Sequence, residues 1–143
     1  MSTKRRANRS AKSGRPRGSK SSTSQRVTGR RRGWGSAVKT AYNGVLYDSK
    51  SEAAYAAHLD RRLASGEIGA WGRQVRVRLE VNGKLVCSIV PDFLVWDPSG
   101  GGATYVEVKG FETPIWRLKR KLFEALYPKV KYVVVTAREA LAL

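Results

Sequence analysis

The sequence predicts an α/β domain, a central mixed sheet flanked by helices, in the order α-β-β-β-α-β. Three observations predict it. Val75, Val77, Leu79 and Val81 alternate with charged residues, and a return run follows the hairpin signal Asn82-Gly83. Two stretches, 49–65 and 113–126, repeat apolar residues at helical spacing between capping signals. After the second of these, Tyr132 to Val135 is an unbroken apolar run, as expected of a buried strand reached by a right-handed crossover.

The folded part is expected over 34–143. Residues 41–47 read as a short hairpin turning at Asn43-Gly44. Ser49 is expected to cap a helix running to about Ser65, with Gly66 as its stop. Ala56, Leu59 and Leu63 form its inward stripe, with Tyr55 alongside, and Glu52 falls on the same stripe. Ser49-Lys50-Ser51-Glu52 is also a capping box, in which Glu52 would reach back to the Ser49 amide. That explains the residue type but not its inward placement.

The return strand of the second hairpin runs from Lys84 through Val90 and on past Pro91 to Trp96. Proline inside such an array marks a bulge or a strand end, where a side chain can be redirected into a site. Residues 97–102 make a second turn and 103–109 a third strand. Thr113 caps the next helix, with Pro114 at its first position. Ile115, Leu118, Leu122 and Leu126 mark its expected buried stripe, while Arg117, Lys119, Arg120 and Lys121 cover much of the remainder.

The charge is distributed unevenly. Residues 1–33 hold twelve Lys or Arg and no Asp or Glu, so the net charge of +17 divides into +12 there and +5 in 34–143. Such a tail cannot bury enough apolar surface to offset its ordering entropy, and it reads as disordered. Its partner is expected to be a polyanion, most simply nucleic acid, with Arg30, Arg31 and Arg32 among the contacts. The alternative is a solvated tail that aids solubility. The tail lacks the large apolar residues of an interfacial helix, and no apolar run reaches membrane-spanning length. Cys87 is alone, which excludes an internal disulfide and a Cys-based zinc site. An intracellular location is expected.

The chemistry concentrates in Pro91-Asp92 and Glu107-Val108-Lys109. On a strand Glu107 and Lys109 share a face, and a neighbouring strand carrying Asp92 can bring a second carboxylate to it. Two carboxylates at such range repel unless a divalent cation neutralises them, and an all-oxygen set suits Mg²⁺, with Mn²⁺ as a substitute. A lysine beside such an ion can orient a water or stabilise charge on a phosphate. The structural alternatives are a turn role for Asp92 after Pro91 and a solvent-facing pair for Glu107 and Lys109. Asp92 lies within buried-strand sequence, where an unpartnered carboxylate is costly. His58 and the tryptophans at 34, 71, 96 and 116 read as surface or packing residues.

These motifs resemble the PD-(D/E)xK nuclease superfamily over about 42–136. The resemblance rests on 47–52 (Tyr-Asp-Ser-Lys-Ser-Glu), Pro91-Asp92-Phe93, Glu107-Val108-Lys109-Gly110 and the basic helix begun by Thr113-Pro114. It is strongest to small phage-type proteins of poorly defined function and more distant to phage Holliday-junction resolvases. It implies a restriction-endonuclease-like core and Mg²⁺-dependent endonucleolytic hydrolysis of DNA, with branched DNA as one substrate. Asp92 and Glu107 would bind the ion with the Val108 carbonyl, Glu52 would complete or extend the site, and Lys109 would orient the attacking water or stabilise the phosphate. Arg117, Lys119, Arg120 and Lys121 would contact phosphates, and Gln74 has a loose counterpart in some nucleases of the superfamily. Paired cuts would require a homodimer, and a phage-encoded protein would act in the host cytoplasm. The rival readings are a non-catalytic nucleic-acid-binding protein and a phage assembly or packaging factor on a nuclease-like scaffold.

Overall fold

The computed structural model describes residues 37–143. Arg30, Arg31, Arg32 and the rest of the basic tail, with Trp34, lie outside the described residues. The elements in chain order are β1 (Thr40–Tyr42), β2 (Val45–Tyr47), α1 (Lys50–Ala64), β3 (Ala70–Arg73), β4 (Val77–Val81), β5 (Lys84–Ile89), β6 (Phe93–Trp96), β7 (Ala103–Lys109), α2 (Pro114–Leu126), β8 (Lys131–Thr136) and α3 (Ala137–Ala142). The architecture is mixed α/β.

A four-stranded sheet in the order β3-β6-β7-β8 forms the centre. Its first two pairings are antiparallel, and β7 pairs with β8 in parallel, with Val106 opposite Val133 and Glu107 opposite Val134. A parallel neighbour needs a crossover, and α2 provides it.

The expected meander is corrected in one respect. β4 and β5 pair only with each other, as a separate two-stranded ribbon, and β6 pairs instead with β3. The break falls at Val90-Pro91-Asp92. Proline has no N–H to give a ladder, so β5 and β6 are separate strands rather than one kinked strand. β3 carries no alternating pattern in its Ala-Trp-Gly-Arg sequence, so periodicity misses it. α3 is a further element beyond those expected. At six residues it is too short for a periodic signal, although Thr136 and Glu139 close a full capping box at its start.

Each face of the sheet carries its own core. Tyr47, Tyr55, Ala56, Leu59, Phe93, Val95, Val106, Val108 and Ala140 are buried together where α1 and α3 pack. Leu79, Ile89 and Phe123 form the second cluster, with Tyr105 and Tyr132 against it, beneath α2 and the ribbon. Alternation along β7 therefore sends Val106 and Val108 towards α1, and Tyr105, Glu107 and Lys109 towards α2.

The α1 stripe is as expected except at Leu63, and the α2 stripe departs at Ile115 and Leu118. In α1, Ser51, Ala53, Tyr55, Ala56 and Leu59 are buried, while Leu63 is 41% exposed and Ile68 beyond the helix end is buried. Gly66 takes φ +76°, the left-handed stop that glycine adopts without strain. In α2 the buried pair is Trp116 and Phe123, and Ile115 and Leu118 are 70% and 68% exposed. Two aromatic rings seven residues apart set the inward face, Leu122 and Leu126 pack partly buried against the same cluster, and Ile115 and Leu118 turn outward. β8 is an edge strand, so Val133 is also exposed rather than buried.

Side chains fasten the parts. Asp60 accepts from the Tyr42 hydroxyl at 2.8 Å and the Trp71 indole at 3.1 Å, tying β1 and β3 to α1. From α2, Lys119 Nζ donates to the Ser88 carbonyl (2.9 Å), and just beyond it the Tyr127 hydroxyl donates to the Arg78 carbonyl (3.0 Å), holding both ribbon strands. Among the described residues no helix is long and apolar enough to cross a membrane.

Candidate functional site

The site forms where the β6–β7 ladder stops. Phe93 is the last β6 residue in register, opposite Val106, so Asp92 lies one step beyond, level with Glu107. There the Asp92 side chain replaces the missing strand: its Oδ2 accepts the Val108 N–H at 2.7 Å. The N–H and C=O of one strand residue point to the same side, so the Val108 carbonyl is directed towards Asp92 as well. The Asp92 main chain is fixed by Gln74, whose N–H donates to its carbonyl at 3.0 Å. Gln74 holds φ +49°, a left-handed conformation that costs a non-glycine residue on the order of 1–3 kcal/mol.

Glu107 is only 5% exposed. Its Oε1 accepts from Lys109 Nζ at 2.7 Å and its Oε2 from the Tyr132 hydroxyl at 3.3 Å. Lys109 Nζ also lies over the Trp116 ring, 5.1 Å from its centre. The motif thus brings Asp92, Glu107 and Lys109 together, as the spacing predicts.

The carboxylates feel one another. Burial, and then the charge of Glu107, push the Asp92 carboxyl up to about 7, with Glu52 adding to the rise; the Val108 N–H and Lys109 oppose it. Tyr132 is held far above its usual range by burial and by the Glu107 carboxylate. Negative charge crowds this corner of the sheet, which is the condition a cation relieves. Among the described residues no three Asp, Glu, His or Cys side chains converge into a metal-binding group. The oxygens that a cation could use here are two carboxylates and a backbone carbonyl, all hard donors. They fit Mg²⁺, which keeps several waters and needs only one or two carboxylates from a protein.

Glu52 stands at the edge of this arrangement. Ser49 caps α1 by accepting the Glu52 N–H at 3.1 Å, but the Glu52 carboxylate accepts from the Ser49 hydroxyl at 2.8 Å rather than from its amide. The expected capping box is thus half formed. Glu52, Ser49, Ser51, Val108, Lys109 and Gly110 share the wall of a cleft of about 470 Å³ that opens at the end of β7. The carboxylate is close enough to raise Asp92, without pointing into the pair as a third ligand.

Residues 33–140 match the model of a family described as a protein of unknown function, DUF1064. The chain belongs to this family. No curated protein and no solved structure matches it. The DUF1064 match takes in Glu52, Asp92, Glu107, Val108, Lys109 and the basic helix, and leaves out Arg30, Arg31 and Arg32.

The basic residues of α2 are engaged in different ways. Arg117 pairs with Glu112 at 3.0 Å, and Arg120 pairs with Glu124 at 2.9 Å while lying over Trp116 and Tyr132. Lys119 is committed to the Ser88 carbonyl, and Lys121 is exposed. Arg117, Arg120 and Lys121 line a small cavity of about 230 Å³ beside Trp116. His58 packs against Tyr55 with ring centres 5.7 Å apart, and burial, followed by the Arg62 and Arg61 charges, lowers its pKa. Sequence reasoning misses Tyr132 and Trp116 at the site. The available signal is Tyr132 itself, a polar-tipped residue ahead of three valines on the strand beside β7.

Proposed function

We propose that this DUF1064 protein is a Mg²⁺-dependent endodeoxyribonuclease built on a restriction-endonuclease-like core. The observation that carries the reading is the Asp92–Glu107 pair on adjacent strands, with Lys109 at 2.7 Å from Glu107 and the Asp92 carboxyl pushed up to about 7. So unfavourable a placement of charge is costly for folding alone, and such groups concentrate at functional sites. Asp92, Glu107 and the Val108 carbonyl would hold the ion, and Glu52 would extend the site through water. When bound, the cation supplies charge neutralisation and Lewis acidity at a phosphodiester. Lys109, seated at the cleft wall, would orient the attacking water or steady the charge that builds on the phosphate. DNA is the expected partner, held by the basic tail and by Arg117, Arg120 and Lys121; branched DNA is one substrate that the resemblance suggests, and paired cuts require a homodimer. An intracellular site of action follows from such a substrate.

A non-catalytic nucleic-acid-binding or packaging role has one observation in its favour: Glu52 turns to Ser49, so three carboxylates do not converge. The two readings separate in one experiment. Plasmid, single-stranded DNA and a four-way junction are incubated with the full chain, with and without Mg²⁺ or Mn²⁺. Cleavage that needs the cation and falls to background in Asp92→Ala and Glu107→Ala, with DNA binding retained, is the expected result. Binding without cleavage under every condition would favour the rival.

A further inference from the structure

Glu107 is held by one residue that the metal-site reading does not use. The Tyr132 hydroxyl donates to Glu107 Oε2 at 3.3 Å. Its ring is fixed edge-on against Phe123, with centres 5.1 Å apart and planes at 62°, so the hydroxyl has little freedom to leave. Register reinforces this. Tyr132 pairs with Tyr105 on the parallel β7–β8 ladder, two residues before Glu107 reaches Val134. Behind the hydroxyl stands Trp116. Its indole N–H is buried and has no hydrogen-bond partner among the described residues. The same ring supports Lys109 Nζ on its face. A buried donor without an acceptor forfeits its hydration with nothing in return, a penalty that a residue used only for packing need not carry.

We infer that Tyr132 is a positioning residue for Glu107 and that its hydroxyl orients the carboxylate towards a divalent cation at Asp92. This inference rests on the metal-site reading above and deepens it. One lone pair of Oε2 is occupied by the phenol and Oε1 by Lys109, so the carboxylate plane is set by two donors from opposite sides. A ligand held in this way loses little rotamer freedom when the ion arrives. Donors placed behind a metal ligand in this way are worth about 10–100-fold in metal affinity.

The test uses the full chain and isothermal titration with Mn²⁺, which reports affinity without any turnover. Tyr132→Phe keeps the ring against Phe123 and removes only the hydroxyl. Its Mn²⁺ affinity should fall about 10–100-fold while its melting temperature without metal stays close to that of the wild type. The nuclease assay should show Tyr132→Phe rescued by raised metal, with an increased metal requirement and a near-normal rate at saturation. Equal Mn²⁺ affinity in wild type and Tyr132→Phe would overturn this inference and leave the metal site standing. A wild-type chain that takes up no cation would overturn the metal-site reading and this inference with it.

Discussion

Asp92→Asn should make the protein more stable at alkaline pH while abolishing cleavage. In the folded chain burial and the Glu107 charge raise the Asp92 carboxyl from an ordinary 3.8 to about 7. A carboxyl with a raised folded pKa binds more protons folded than unfolded between those two values. Stability contributed at this site is therefore greatest below about pH 4, falls as pH rises towards 7 and is flat beyond it. At 1.36 kcal/mol per pH unit the full cost is on the order of 4 kcal/mol. Because Asp92 is only partly enclosed, local relaxation and counterions should reduce this to about 2 kcal/mol. Asn retains an oxygen that can accept the Val108 N–H, so the strand end survives the exchange. The assay is urea unfolding of the full chain in chelator at pH 4, 5.5 and 8, wild type against variant. The difference should be near zero at pH 4 and favour Asp92→Asn by about 2 kcal/mol at pH 8, roughly 10 °C in Tm. Adding Mg²⁺ at pH 8 should raise the wild-type Tm and leave the variant unmoved, because only the wild type gains by binding. A variant that is equally or less stable at pH 8, with a difference independent of pH, would refute the electrostatic reasoning.

Asp92→Ala and Glu107→Ala should each reduce cation-dependent cleavage to background in a plasmid assay, with gel-shift affinity for DNA retained. Glu52→Gln should cost about 10–100-fold in activity at limiting metal if the carboxylate extends the site through water. Full activity with unchanged stability would assign it to the Ser49 contact alone. Removing residues 1–33 should weaken DNA binding most at low salt and flatten the logarithmic salt slope, by about 0.9 for each phosphate that the tail neutralises. Circular dichroism of the truncated chain should show an unchanged melting temperature.

Where local chemistry is sufficient, the sequence is legible. Asn43-Gly44 and Asn82-Gly83 turn as hairpin signals should, with positive φ at both residues of each pair. Ser49, Gly66, Thr113 and Pro114 mark helix limits to within a residue, because capping depends on side chains a few positions away. Partner choice is less legible. Whether β6 pairs with β5 or with β3 depends on a chain reversal that spans the whole ribbon, and the four residues of β3 carry no pattern to announce it. The first turn of the α2 stripe, Ile115 and Leu118, is misplaced for a related reason. Periodicity finds an apolar face, but the bulk of Trp116 and Phe123, set by what lies across from them on β7 and β8, decides which face turns inward.

The candidate site divides along the same line. Asp92, Glu107 and Lys109 come together because strand alternation and one proline suffice to place them, and both are written in the sequence. Tyr132 cannot be found in this way, since its neighbour Glu107 is 25 residues away and is reached only through a parallel crossover. Helical spacing turns Glu52 towards the site but does not foresee its bond to the Ser49 hydroxyl, a choice between two nearby donors that spacing cannot resolve. The pattern follows from the physics of the site. Its carboxylates lie where a ladder is broken by Pro91, and the broken ladder leaves the Val108 N–H to be satisfied by Asp92. That bond draws a carboxylate into a buried corner already occupied by Glu107. The strand end and the charge crowding are thus one feature: restoring the ladder would remove the need for Asp92 there, and with it the oxygen pair on which a cation could sit.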